Sequence, residues 1–369
     1  MRQVTRIVLG IGVAGLAVLS GASAHRGGST YLYVHDGGAP TRVWGYRFNS
    51  NGTLDPLAAN PTSTQNGAFP ASAICDSAAY SEKRKLLFTG GTSGVSVFRV
   101  GEDGALTLVT GSPFLPQVEL RSVGVADIGK NTYVYASDPA SGAIHIYGVR
   151  SDDTLLHFDD VIVAVLSGPT GIRIVKNIIY FGDQAGTVRG CTIRKDGTLK
   201  AIPGYTQDVS SSVNTVSVDA KGKLLYVPNP AAPQVIGFQL TGKKAKPLSG
   251  SPYASTVTTS EGLSGLASGA GNFLYTFAPA TGGTGDVQAF ARAKNGVLTA
   301  KTPVLDSGLP NLRGGVLDPT GQFLVLVDDV TDQLKSFAIN STTGSLTLVD
   351  TETAAFSDNQ VDGLVFAKP

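Results

Sequence analysis

Short runs of four to six mainly apolar residues recur along the chain. They are separated by clusters of Gly, Pro, Asn and Asp, too short and too regularly interrupted for helices. One run keeps its character throughout: Tyr31-Leu-Tyr-Val34, Lys85-Leu-Leu-Phe-Thr89, Thr132-Tyr-Val-Tyr-Ala136, Asn177-Ile-Ile-Tyr-Phe181, Lys223-Leu-Leu-Tyr-Val227, Asn272-Phe-Leu-Tyr-Thr276 and Gln322-Phe-Leu-Val-Leu326. An alternating strand carrying an aromatic follows each run. Most units then have a turn pair, Asn51-Gly52, Asp103-Gly104, Asp196-Gly197, Asn295-Gly296 or Thr343-Gly344, just before a leucine. Glycine suits such turns because it accepts the left-handed backbone that a tight hairpin requires. The leucines Leu54, Leu106, Leu155, Leu199, Leu248, Leu298 and Leu346 lie 52, 49, 44, 49, 50 and 48 residues apart. The fifth unit, with Lys243-Lys244, has lost its Asp-Gly turn and matches least well. Seven units of about four strands at this period predict an all-β fold, a seven-bladed β-propeller over residues 30 to 369. No long amphipathic helical pattern competes with it.

The ends are expected to complete the ring. The N-terminal unit begins at the Leu-Tyr-Val strand and lacks a first strand of its own. Val361-Asp-Gly-Leu-Val-Phe-Ala367 reads like first strands such as Gly314-Gly-Val-Leu-Asp318, so it should pair with the N-terminal blade and remove its open edge. The repeat also places the two cysteines. Cys191 takes the packed aromatic slot of Phe98, Tyr147, Phe238 and Phe290, and Cys75 takes the first-strand slot of Ala126, Val218 and Leu317. Two buried free thiols in different blades are expected, with no disulfide.

Residues 1–24 read as a secretory signal peptide: Arg2 and Arg6, an uncharged, mostly apolar run from Ile7 to Leu19, then Ala22-Ser23-Ala24 as the cleavage site. Residues 25–369 then form one propeller domain, secreted or periplasmic. No second apolar stretch is long enough to span a bilayer, so no membrane insertion of the mature chain is expected. Hydrophobic residues at 42% exclude disorder. With 29 Lys+Arg against 28 Asp+Glu there is no basic excess for a phosphate backbone, so no nucleic-acid partner is expected. A closed ring near neutrality, without a long unpaired apolar strand, is expected to be a monomer. A protein partner stays open.

The metalloprotease, thiol-redox, nucleophile-elbow and phosphate-loop motifs do not occur. The histidines are His25, His35, His145 and His157. His145 reads as a solvated or between-blade residue, His157 lies in an outer strand, and only His35 falls in a loop that can face the axis. No pair has metal-ligand spacing, so neither a metal site nor a cofactor is expected. A propeller's usual site is the mouth of its channel, where first strands begin and the loops after second strands converge. Those loops open with Asp36, Asp138, Asp183, Asn229, Asp328 and Asp329. Such residues cap turns by bonding the backbone two residues on. Alternatively, with His35, some of them bind a hydroxylated ligand or a cation. Asp328-Asp329-Val-Thr-Asp332 is the densest acidic cluster, but it lacks the glycine and terminal glutamate of a calcium loop. Arg121 and Arg313 begin first strands beside the same mouth. Each suits a forked grip on a carboxylate or phosphate, or a salt bridge to a neighbouring acidic loop.

Pro310-Asn-Leu-Arg-Gly-Gly-Val-Leu-Asp-Pro-Thr-Gly-Gln-Phe-Leu-Val-Leu-Val327, Val216-Ser-Val-Asp-Ala-Lys-Gly-Lys-Leu-Leu-Tyr-Val227 and Gly111-Ser-Pro-Phe114 resemble the blades of the lactonase-type seven-bladed propellers. That family includes cycloisomerase-type 6-phosphogluconolactonases and carboxymuconate cyclases. The resemblance implies ring chemistry on a small sugar or carboxylic-acid lactone, with Arg121 and Arg313 holding the anionic part and Asp138 as base. Asp138 stands where the family carries a glutamate, and no first strand begins with the family's histidine. A non-catalytic ligand- or protein-binding propeller of the cell envelope is the alternative reading.

Overall fold

The computed structural model describes residues 29–39, 41–68, 77–114, 118–162, 169–209, 213, 215–229, 232–242, 244–257, 265–268, 272–278, 285–356 and 361–369. The leader at 1–24, His25 and Cys75 lie outside the described residues.

The alternating runs fold into seven antiparallel sheets. Their innermost strands are Val361–Ala367 (blade 1), Ala78–Ser81 (blade 2), Val123–Ile128 (blade 3), Pro169–Val175 (blade 4), Ser217–Val218 (blade 5), Gly265–Ser268 (blade 6) and Leu312–Leu317 (blade 7). Each innermost strand neighbours the next in a closed cycle, and blade 7 returns to blade 1. The Leu-Tyr-Val runs are the second strands: Thr30–Asp36, Leu86–Thr89, Asn131–Asp138, Ile178–Asp183, Leu224–Asn229, Phe273–Ala278 and Phe323–Asp328. The C-terminal strand pairs with Thr30–Asp36 in the register Tyr31↔Ala367 to His35↔Gly363, which closes the ring as the sequence predicts.

The third strands repeat one register. Tyr46, Phe98, Tyr147, Cys191, Phe238, Phe290 and Phe337 lie opposite Leu32, Leu87, Val134, Ile179, Leu225, Leu274 and Leu324. The slot is aromatic in every blade except blade 4, where Cys191 fills it as a buried free thiol. Burial pushes that thiol up to about 11, so it stays protonated and unreactive.

The apolar core lies between sheets and not at the axis. Leu32, Val34 and Phe48 of blade 1 pack on Phe323, Val325 and Val327 of blade 7, and similar clusters fill the other junctions. Buried tyrosines bolt neighbouring blades together. Tyr33 donates to the Gly104 carbonyl at 2.7 Å, Tyr135 to Gly197 at 2.8 Å, Tyr226 to Gly296 at 2.7 Å and Tyr275 to Gly344 at 3.0 Å. Each acceptor is a turn glycine with positive φ: +82°, +86°, +90° and +78°. Among the described residues, other junctions lack this bolt. Phe88 faces blade 3, whose turn is Asp152-Asp153. The hydroxyl of Tyr180 faces blade 5 and has no hydrogen-bond partner among the described residues.

Candidate functional site

The second strands run out at one end of the ring, and their last residues differ from the expectation in one respect. His35 lies inside the strand Thr30–Asp36 and not in a loop, because pairing with the closing strand extends past the Leu-Tyr-Val motif. It is wholly buried, and its Nδ1 meets the Ser77 hydroxyl of blade 2 at 2.7 Å. Burial outweighs the attraction of Asp36 and lowers its pKa to about 4, so the imidazole is neutral near pH 7. Its complete burial keeps this Ser–His pair away from substrate.

The acidic residues at the strand ends mostly cap their own loops. Asp138 accepts from the N–H groups of Ala140 at 2.9 Å and Ser141 at 3.1 Å, and from the Ser141 hydroxyl at 2.6 Å. Asp328 accepts from the N–H groups of Val330 at 3.0 Å and Thr331 at 2.6 Å, and also from Asn311 N–H. Asp36 accepts from Gly38 at 3.1 Å and pairs with Arg42 at 2.8 Å, while Arg42 stacks over Trp44. Asp183 accepts from Thr187 N–H at 2.7 Å; its second oxygen is buried with no partner among the described residues, and burial raises its pKa. Asn229 ends the second strand of blade 5.

The arginines take separate partners. Arg313 donates to Asp329 at 2.9 Å, and Asn311 holds the other oxygen of that carboxylate at 2.7 Å. Burial still pushes Asp329 above the usual range against the pull of Arg313. Arg121 lies beside Asp138 along the sheet, its N–H donating to the Ser137 carbonyl at 3.0 Å. Its Nε is held by Glu119, and its two terminal nitrogens make no hydrogen bond among the described residues. Arg313 belongs to blade 7 and Arg121 to blade 3, and their partners among the described residues do not include Asp138. The carboxyl of Asp138 is lowered all the same: burial acts upward, but the Ser141 hydroxyl and N–H, His145 and the Ala140 N–H together outweigh it. The described partners of Asp138 are thus a serine, a histidine and backbone N–H groups.

One constellation runs against the sequence reading. His145 was expected to be ordinary and histidine pairing to be absent, yet His145, His157 and Asp160 meet, with their ligand atoms all within 4.8 Å of one another. Spacing alone hides this, because residues three apart on a regular strand face opposite ways. A bulge supplies the missing step: Ile146 pairs with Asp159 and Tyr147 with His157, which leaves Phe158 unpaired.

Clefts among the described residues also occur between blades, away from these strand ends. One of about 470 Å³ lies between blades 1 and 2 beside Asp55, Leu57, Asp103 and Leu106.

Residues 27–361 match the model of the lactonase family, 7-bladed beta-propeller. The chain belongs to this lactonase family. Among solved structures, this lactonase-family propeller is similar to a candidate 6-phosphogluconolactonase from Bacteroides fragilis, with 17% identity over 92% of this chain and 98% of that one, at a TM-score of 0.72. It is also similar to a periplasmic gluconolactonase of Pseudomonas aeruginosa, with 16% identity over 92% and 100% of the two chains, at a TM-score of 0.70. These likenesses are to the fold. No curated protein matches the chain.

Proposed function

We propose that this propeller hydrolyses a small sugar or carboxylic-acid lactone at the mouth of its channel, and that residues 1–24 export it to the periplasm or beyond. Membership of the lactonase family over residues 27–361 carries the reading. The similar fold of a periplasmic gluconolactonase agrees with both the substrate class and the location. Arg121 is the first donor: its Nε is fixed by Glu119, so its terminal nitrogens are left to meet the oxyanion that forms when water adds to the lactone carbonyl. The ring C–O bond then breaks, the ring oxygen takes a proton, and a hydroxy acid leaves. Asp138, held ionised by Ser141, accepts a hydrogen bond from the attacking water and orients it; as a weak base it does less than the arginine. Arg313, kept in place by Asp329, grips an anionic substituent of the substrate. Base-free acid release, followed by titration against a panel of sugar and aliphatic lactones, tests this. Opening of at least one ring supports it, and no opening anywhere in the panel removes it.

A second reading has one observation in its favour. The carboxylate of Asp138 is committed to its cradle and the imidazole of His35 is sealed from solvent, so neither is a strong general base. A ligand-binding propeller without turnover fits this. Calorimetric binding of a lactone or hydroxy acid without hydrolysis would establish it.

A further inference from the structure

We propose that His145, His157 and Asp160 form a divalent transition-metal site on the outer half of blade 3, with Asp138 as the carboxylate that orients His145. Backbone pairing builds the cluster. His145 is in the third strand Ala143–Val149, and His157 and Asp160 are in the outer strand Leu155–Ile162. His145 pairs directly with Asp160 and Tyr147 with His157, so paired residues share a face, and His145 and Tyr147, two apart, share it as well. The extra residue Phe158 brings His157 and Asp160 onto that same face.

Both imidazoles converge on one oxygen. His145 Nδ1 lies 2.5 Å and His157 Nε2 2.6 Å from Asp160 Oδ1. On its other side, His145 Nε2 lies 3.3 Å from Asp138 Oδ2. A neutral imidazole donates from one nitrogen only. His145 therefore stands between two carboxylates, with Asp160 on its Nδ1 side and Asp138 on its Nε2 side, so one nitrogen can ligate a cation while the other is held by a carboxylate. A metal ion on Nδ1 leaves Nε2–H to donate to Asp138, the histidine–carboxylate pairing that fixes tautomer and ring orientation in metal centres. Ligand distances near 2.0–2.2 Å require the three atoms to draw apart by less than about 1 Å, within the reach of side-chain torsions.

The donor set selects the metal. Two nitrogens and one carboxylate oxygen suit zinc and its first-row neighbours, whereas calcium and magnesium demand oxygen. His145 is 8% exposed, His157 33% and Asp160 44%, so the site opens to solvent and water completes the coordination. Bound metal would staple the outer strand to the third.

This inference does not depend on lactone chemistry, and its test reads binding alone. Chelator-treated full-length protein is titrated with zinc chloride by calorimetry, with magnesium and calcium as separate arms. Cobalt(II) is added to read a nitrogen- and oxygen-ligated centre by its visible absorption. One zinc per chain is expected, weakened at least tenfold in His157→Gln and in Asp160→Asn, both at solvent-exposed positions. Asp138→Asn, which removes the carboxylate that faces His145 Nε2, should weaken it about 10- to 100-fold. Circular dichroism of each variant reports folding. Absence of zinc binding, binding unchanged in both His157→Gln and Asp160→Asn, or equal binding of magnesium overturns the proposal.

Discussion

Tyr226 and Tyr180 occupy the same slot of neighbouring blades, and removing one hydroxyl should have the opposite consequence to removing the other. Tyr226 is fully buried and donates at 2.7 Å to the carbonyl of Gly296 in the next blade. Changing it to phenylalanine keeps the ring and its packing but deletes that bond and strands a buried carbonyl. Stranding a buried hydrogen-bond partner costs about 1–3 kcal/mol, so Tyr226→Phe should destabilise by that much. Tyr180 is equally buried, but its hydroxyl has no partner among the described residues, and the turn carbonyl of blade 5, at Gly242, accepts from Tyr205 instead at 3.3 Å. Folding strips that hydroxyl of water without replacing the hydrogen bond, so Tyr180→Phe should be neutral or stabilising by up to about 1 kcal/mol. Urea unfolding followed by tryptophan fluorescence, with both variants against the wild type under identical conditions, reads the difference. Equal destabilisation by the two substitutions would refute the idea that a hydrogen bond to the next blade's turn joins the sheets.

Three further outcomes follow from the same structure. Deleting 361–369 removes the innermost strand of blade 1, exposes the Thr30–Asp36 edge and should lower the thermal midpoint of the whole ring; an unchanged midpoint in scanning calorimetry would contradict closure. Cys191, with its thiol pushed up to about 11, should resist a thiol reagent at pH 8 in the folded protein and react once the chain is unfolded; rapid labelling of folded protein at this residue, mapped by mass spectrometry, would contradict its burial. His35 has a folded pKa of about 4 against about 6.5 unfolded, so the unfolded state binds more protons between those values. Its contribution is full above about pH 6.5 and falls as pH drops towards 4, by about 3 kcal/mol in all. Urea midpoints across that window should fall less steeply in His35→Gln, and parallel slopes would refute this.

The ring was legible in the chain because a propeller repeats local chemistry. Turn glycines need positive φ, the packed slot needs an aromatic, and the closing strand Val361–Ala367 carries the pattern of a first strand; each can be read without knowing its neighbours. Even the exceptions were visible: Cys191 was placed by counting from its turn. The site was harder. Asp36, Asp138 and Asp328 stand at strand ends for the reason any aspartate suits a turn, and sequence cannot separate a cap from a ligand. His35 was misjudged because pairing with residues more than 300 positions away lengthens its strand. The cluster of His145, His157 and Asp160 escaped because one bulged residue, Phe158, reverses the face that alternation assigns. A bulge leaves little trace in hydropathy, though the outer strand Leu155–Ile162, matched in length among the outer strands only by the likewise bulged Leu346–Thr353, was the available hint.

The central claim is that a positioned arginine at the channel mouth stabilises the charge formed as a lactone opens. The most direct measurement is the turnover of one accepted lactone by the wild type and by Arg121→Ala, followed by acid release, with circular dichroism confirming that both are folded. Loss of a single oxyanion donor costs on the order of 10²–10³ in turnover, and the account predicts a fall of that size for Arg121→Ala. A wild-type rate retained within about threefold by the folded variant would contradict it and locate the chemistry elsewhere in the ring.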